Sequence, residues 1–348
     1  MMSFRNDRLK KLDIPMNIVK LIGKINEYKG KQDLYIEQSP QILDKLQEVA
    51  VIKSTKASNS IEGIVITDKR LKEIMKDDTN LKERSEGEIA GYRGVLNTIH
   101  TSYDAIPITS NIILQLHRDM YKYISEKGGS WKSQDNIIGE ILPNGEKFIR
   151  FKPVAASNTD AAMDSLCNFL NNEIQDQNIE PLILIGSFIL DFLCIHPFND
   201  GNGRISRLLT LLLLYKYEYK VGRYISLEEI IEDSKSSYYE TLNKSSVGWH
   251  EGKHNLFFWL EYFLGILLAA YKEFEDRVGK VKSKRGNKSY RVEQAVKNII
   301  GTFSKNDIRN ICPDVSDSTI DRVLRQLKKD NLIKVLGKGR NAKWKRLK

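Results

Sequence analysis

The sequence is poor in cysteine and has no long apolar run. Its three cysteines, Cys167, Cys194 and Cys312, lie far apart with no CxxC spacing. That excludes a dense disulfide framework and a structural zinc site built on cysteine pairs. All three read as buried thiols. The longest apolar stretches are PLILIGSFILDFLCI (181–195) and LLTLLLLY (208–215). Both fall short of the roughly 20 residues that a membrane-spanning helix needs, and the first carries Asp191. They read as buried helices, and no membrane partner is expected. The opening MMSFRNDRLKKLD lacks the apolar core and cleavage site of a secretory signal, so a cytoplasmic protein is expected. There is no internal repeat and no low-complexity tract.

What is present is an ordinary globular composition, 41% hydrophobic and 29% charged, in a 348-residue chain long enough for two or three domains. The charge is unevenly spread. Residues 279–348 hold 20 Lys and Arg against 6 Asp and Glu, whereas residues 1–278 hold 35 against 39. The net charge of +10 therefore belongs to the tail, which calls for a separate domain with its own explanation.

The pattern is mainly α. Residues 39–63 read as one long helix, with Ser39 as N-cap, Pro40 at the first helical position and Gly63 as the left-handed stop. Thr79, Thr109 and Ser157 precede further helices, and Ser226 with Glu229 reads as a capping box. The exception is 128–153, read as a β-hairpin flap turning at PNGEK. An aromatic-rich core helix ends at 278, and a polar, basic linker follows at 279–289. Residues 290–348 read as helix, short helix, longer helix and two strands, an order that resembles a winged helix-turn-helix. The expected division is a helical region at 1–105, a core at 106–278, the linker and the tail domain.

One stretch concentrates chemistry: IHPFNDGNGRISRLL, residues 195–209. Pro197 ends the preceding apolar helix, so His196 sits where the chain leaves the core and can face a cleft. DGNGR then opens the next helix, so the N–H groups of Gly201, Asn202, Gly203 and Arg204 lie at its positive end, a ready anion site. Arg207 follows Arg204 on the same face, and the two guanidiniums can clasp one set of phosphates. Asp200 beside this nest suits Mg²⁺, which takes few protein ligands and completes its shell with phosphate and water. His196, with an unperturbed pKa of about 6.5, is the natural base for a nucleophilic hydroxyl. His100, His117, His250 and His254 read as packed or surface histidines.

HPFNDGNGR followed by Arg207 resembles the Fic signature, H-x-F-x-D/E-G-N-G-R-x-x-R, at every defined position. The helical core with a hairpin before the motif resembles the Fic fold from about 110 to 260. The resemblance implies a protein adenylyltransferase that moves AMP from ATP to a Ser, Thr or Tyr hydroxyl of a target protein. It makes His196 the general base, Phe198 a core anchor and Asp200 the Mg²⁺ ligand. Asn202 would position the α-phosphate, Arg204 bind phosphates and Arg207 hold the γ-phosphate. Gly203 keeps the nucleotidyl-transferring form of the motif, where the kinase-like Doc branch departs.

SNSIEG, residues 58–63, resembles the inhibitory motif S/T-x-x-x-E-G/N of many Fic proteins, met by Ser58, Glu62 and Gly63. Ser58 and Glu62 lie one turn apart, so the hydroxyl can steady the carboxylate. The resemblance pairs Glu62 with Arg207 in the γ-phosphate position, misplacing ATP for in-line attack, and makes 39–63 an N-terminal inhibitory helix. In some relatives the same glutamate orients water to remove AMP, and that use stays open. The flap implies main-chain pairing with an extended target segment. Lys132 stands where many relatives have Arg, and Tyr238, in SYYETL, resembles an adenine-pocket residue.

In the tail, Arg322, Arg325, Lys328 and Lys329 share a helix face, and Lys338, Arg340, Lys343, Lys345 and Arg346 surround the following turn. That is a footprint for duplex DNA, with a docking protein or a homodimer contact as the alternatives. A nucleotide-sensing, DNA-binding transcriptional regulator is the competing reading of the whole chain. The intact His196, Asp200 and Arg204 favour the enzyme.

Overall fold

A computed structural model describes residues 2–38, 40–76, 81–141, 146–283, 288–299, 301–313, 315–337 and 342–347. The chain opens with α1 (Met16–Gln38), α2 (Pro40–Ile61), α3 (Asp68–Ile74), α4 (Arg84–Ser102) and α5 (Ser110–Met120). A hairpin of β1 (Ile138–Ile141) and β2 (Lys147–Phe151) follows. Next come α6 (Thr159–Asp176), α7 (Pro181–Ile195), α8 (Asn202–Lys216), α9 (Leu227–Asp233), α10 (Lys235–Ser246) and the long α11 (Phe257–Ser283). The C-terminal part is α12 (Lys288–Asn298), β3 (Thr302–Ser304), α13 (Lys305–Ile311), α14 (Asp317–Lys329), β4 (Ile333–Val335) and β5 (Lys343–Arg346).

The mainly helical expectation holds, and the two longest apolar stretches become its centre. α7 is apolar on every face, with thirteen of its fifteen residues buried, which is the pattern of a helix with neighbours all round rather than on one side. α8 packs on it and buries Leu208, Leu209 and Leu211 to Leu214. A second, smaller core gathers Val292, Phe303, Ile308, Ile320, Leu324 and Ile333 in the C-terminal part. Among the described residues, no helix is long and apolar enough to cross a membrane. The three cysteines are buried.

Several local expectations change. β1 and β2 pair antiparallel, but residues 128–137 are irregular rather than extended, and most of the PNGEK turn lies outside the described residues. α11 runs five residues past the expected end at 278, because its helical pattern continues through GKVKS. The C-terminal sheet has a third strand, β3, and its order is β3-β5-β4; three residues are too few for an alternating pattern to register in the sequence. Thr109 caps α5 as expected. Ser226 caps α9, but the box does not close, because the Glu229 carboxylate is taken by Lys53 of α2 at 2.6 Å. Ser157 sits inside a short 3-10 turn, and α6 starts without a side-chain cap. Ser39, Thr79, Lys338 and Arg340 lie outside the described residues.

Candidate active site

The loop joining α7 to α8 carries the expected site. At the end of α7, His196 adopts the left-handed conformation, φ 50° and ψ 61°. A β-carbon makes that conformation uncommon, so the surroundings must hold it. Lys132 supplies much of the hold. Its backbone N–H donates to the Pro197 carbonyl at 2.8 Å, and its Nζ donates to the Ile195 carbonyl at 3.0 Å and to Asn136 Oδ1 at 2.8 Å. The Asn136 amide then donates to the carbonyls of His196 and Phe198 at 3.2 and 3.1 Å. Burial lowers the Lys132 pKa to about 8. Neither residue belongs to the motif, and no spacing in the sequence marks Asn136.

His117 is a second residue that sequence reasoning passed over. Its Nδ1 accepts the Gly129 N–H at 2.9 Å, so the proton resides on Nε2, which donates to the Asp200 carbonyl at 3.1 Å. The ring lies flat on Phe198, with centroids 3.7 Å apart and planes 5° apart. Burial pushes its pKa down to about 4, so it stays neutral. One imidazole thus ties the base of the flap to the acidic end of the loop. Phe198 is fully buried beneath it, as a core anchor should be.

His196 itself is half-buried. Its Nδ1 lies 3.3 Å from the Leu193 carbonyl, which can only accept, so Nδ1 carries the proton and Nε2 keeps a lone pair. Burial lowers its pKa to about 4. At neutral pH the ring is therefore an unprotonated acceptor aimed from the loop, the form that a general base requires.

α8 begins at Asn202, with Gly201 as N-cap at φ 81°, a conformation that glycine adopts without cost. Asn202 is 3% exposed and spends its side chain on the loop: Oδ1 accepts the Phe198 N–H at 2.9 Å and Nδ2 donates to the Phe198 carbonyl at 2.8 Å. It shapes the nest rather than reaching out of it. Asp200 is largely exposed; Oδ1 accepts the Gly201 N–H at 2.7 Å and Oδ2 the Tyr121 hydroxyl at 2.9 Å. Desolvation opposes its ionisation, yet Arg204, the Tyr121 hydroxyl and the Gly201 N–H together hold its pKa below the ordinary carboxylate value. Among the described residues no three His, Cys, Asp or Glu side chains converge as metal ligands. A lone exposed carboxylate fits a cation that takes one protein oxygen and fills its shell from phosphate and water, as Mg²⁺ does.

The two arginines are buried and differently held. Arg204, 1% exposed, donates from Nη1 to Glu88 on α4 and from Nη2 to Tyr121 Oη at 3.2 Å and Asp200 at 3.3 Å. Arg207, 4% exposed, donates from Nε to Ser58 Oγ, and from Nη2 to the Ser58 carbonyl and Glu62 Oε1, each at 2.8 Å. Burial opposes its charge, but Glu62 and the neighbouring tyrosines raise its pKa above the usual guanidinium value. Arg204 Nε and Arg207 Nη1 are both buried without a hydrogen-bond partner among the described residues. Buried donors are seldom left so, and two on adjacent arginines point to a missing acceptor.

Ser58, Glu62 and Arg207 thus come together although 145 residues separate the ion pair. Gly63, at φ 83°, turns the chain away just beyond Glu62. Glu62 also lies against the start of α8: a β-carbon on Gly203 would stand 2.2 Å from Glu62 Oε1. Only glycine admits that approach. The carboxylate therefore sits beside the positive end of a helix, where an external anion would bind. Tyr238 is 3% exposed and packs among Tyr239, Trp259 and Tyr262. Burial raises its pKa, and it has almost no surface for a nucleotide base; Tyr239, next to it, is 40% exposed.

Residues 107–214 match the model of the Fic/DOC family. The protein adenylyltransferase Fic of Drosophila mojavensis is 25% identical over 218 residues, 61% of this chain and 40% of that protein. That of Drosophila melanogaster is 26% identical over the same length, 41% of its own. The chain thus spans about two fifths of the length of the curated relatives it matches. Among solved structures, a Fic family protein from Desulfovibrio desulfuricans G20 superposes with a TM-score of 0.63 at 22% identity, covering 96% of this chain and 97% of that one. A Fic domain containing signaling protein from Bacteroides thetaiotaomicron does so at 0.60 and 22%, covering 76% and 98%. These likenesses show a shared fold.

Proposed function

On the premise that the chain carries a Fic domain at residues 107–214, we propose that it is a protein adenylyltransferase, using ATP to modify a Ser, Thr or Tyr hydroxyl of a target protein. The observation that carries the reading is the geometry of His196 at the end of α7, whose Nδ1 faces the Leu193 carbonyl. With Nδ1–H committed to Leu193 and a pKa of about 4, Nε2 is free to take the hydroxyl proton. The hydroxyl oxygen forms a bond to the α-phosphorus, the bond from that phosphorus to the α,β-bridging oxygen breaks, and pyrophosphate leaves. The α8 N-terminus, Arg204 and Arg207 offset the negative charge of the phosphates, in a site already organised before substrate arrives. Asp200 would hold Mg²⁺, which supplies charge neutralisation to the phosphates when bound.

Glu62 acts as the brake. Its carboxylate occupies the anion position between Arg207 and Gly203, so a triphosphate must displace it to reach both arginines. Because this transfer depends on positioning, a displaced phosphate suppresses it. The relatives' printed activity supports the transfer chemistry at family level. The C-terminal part, with helices α12 to α14 and an antiparallel three-stranded sheet, supports a winged-helix module presenting Arg325, Lys328 and Lys329 to duplex DNA.

The test is incubation of wild type, Glu62→Gly and Glu62→Gly/His196→Ala with α-³²P-labelled ATP and Mg²⁺, followed by denaturing electrophoresis. Strong labelling by Glu62→Gly alone is expected. Equal labelling by the double variant would remove His196 as base, and no labelling by any of the three would remove the activity.

A further inference from the structure

We propose that the groove between α3 and the outer face of the C-terminal sheet binds a compact, multiply phosphorylated ligand. This site is separate from the α8 N-terminus and independent of AMP transfer. The groove encloses about 400 Å³, within the size range of small-ligand sites and far too small to admit a nucleic-acid duplex. Lys69, Lys72 and Lys76 line it from the α3 side and Lys345 from β5.

The two acids in its lining are already neutralised from elsewhere. Asp68 receives Lys56 at 2.7 Å, and Glu73 receives Arg70 at 3.0 Å. The four lysines have no carboxylate partner among the described residues. The floor is closed by Gly301, at φ 77°, where a β-carbon would lie 3.4 Å from Lys72 Nζ and from Asp68 Cβ.

The sheet holds Lys345 at a structural cost. In the register, Lys345 of β5 stands opposite Thr302 on one side and Lys334 of β4 on the other. Lys334 and Lys345 are exposed, while Ile333 is buried and Trp344 packs against the C-terminal core, so the two lysines share the outward face. Like charges directly opposite in a sheet are destabilising. An anion between β5 and α3, held by the four lining lysines, also offsets that repulsion at Lys345. Lysine suits the task, because its ammonium is a compact point charge that binds phosphate without demanding one bidentate geometry. The site shares Lys345 with the expected duplex footprint but not Arg325, Lys328 and Lys329, since α14 packs against the opposite face of the sheet through Leu324 and Leu327.

The experiment is isothermal titration of the full chain with inorganic tripolyphosphate at about 0.1 M KCl, where charges within about 10 Å still interact. Wild type, Lys72→Ala/Lys345→Ala and Lys72→Arg/Lys345→Arg are compared. The alanine pair should weaken the groove site by about tenfold or more, equivalent to about 1.4 kcal/mol, without altering weaker binding at the α8 N-terminus. The arginine pair, which keeps the charge, should bind as wild type does. Identical titration curves for the alanine pair and wild type would overturn the site. So would binding insensitive to a rise to about 0.3 M salt. Displacement of tripolyphosphate by a short DNA duplex would also overturn it, by assigning these lysines to a nucleic-acid backbone.

Discussion

The α7–α8 junction and the C-terminal part both concentrate positive charge, and they handle it in opposite ways. At the junction Arg204 and Arg207 are buried and held by Glu88, Asp200, Ser58 and Glu62. In the C-terminal part Lys328, Lys329, Lys334 and Lys345 are exposed and have no carboxylate partner among the described residues. A buried, multiply bonded guanidinium is fixed before any ligand arrives, which suits transition-state positioning. An exposed ammonium is fixed by nothing and is screened by salt, which suits reversible attraction of anions. The same charge is thus fixed in one place and open to solvent in the other.

The comparison is broken first at the loop. His196→Ala should lower transfer by about 10² to 10⁴-fold, the range of general acid–base catalysis, with the thermal midpoint unchanged; incorporation of labelled AMP in a Glu62→Gly background measures it. Glu62→Gly should raise transfer by about 10²-fold if misplacement of the phosphate is what the carboxylate imposes, and an unchanged rate would reduce SNSIEG to a helix end. Lys132→Met removes the hold on the Ile195 carbonyl, and a roughly tenfold loss of turnover is expected, with little change in KM for ATP.

Acid titration sharpens the contrast. His100, His117, His196 and His254 all have pKa values lowered by burial to about 4. Between their unfolded value, about 6.5, and about 4 the unfolded chain binds more protons than the folded one. Stability should therefore be full above about pH 6.5 and decline as pH falls toward 4, read as a falling thermal midpoint. Transfer should lack the usual histidine limb near 6.5 and lose activity only as pH nears 4. The smallest effect belongs to the exposed cations. Lys328→Glu/Lys329→Glu should weaken duplex DNA binding severalfold and flatten its salt dependence, with AMP transfer untouched.

The motif was legible because its parts are contiguous. Pro197, Gly201 and the flanking leucines set the helix end, the turn and the buried helix by local rules that need no distant contact. The roles of Asn202 and Tyr238 were less so, since a side chain's direction depends on what packs around it. Asn202 turns inward to Phe198 and Tyr238 into an aromatic cluster. The roles of His117, Lys132 and Asn136 in holding the loop escaped because the loop carbonyls they bond lie 60 or more residues away in the chain.

By itself the sequence determined the helical class, the buried pair of helices, the loop between them and the basic tail, because periodicity, turn chemistry and charge are local properties. Only the tertiary structure decided that His196 is neutral and half-buried, that Glu62 lies against Gly203 and Arg207, and that α3 faces a lysine-bearing sheet. Those are consequences of burial and of distances across the fold, and desolvation and close approach exist only once the chain has packed.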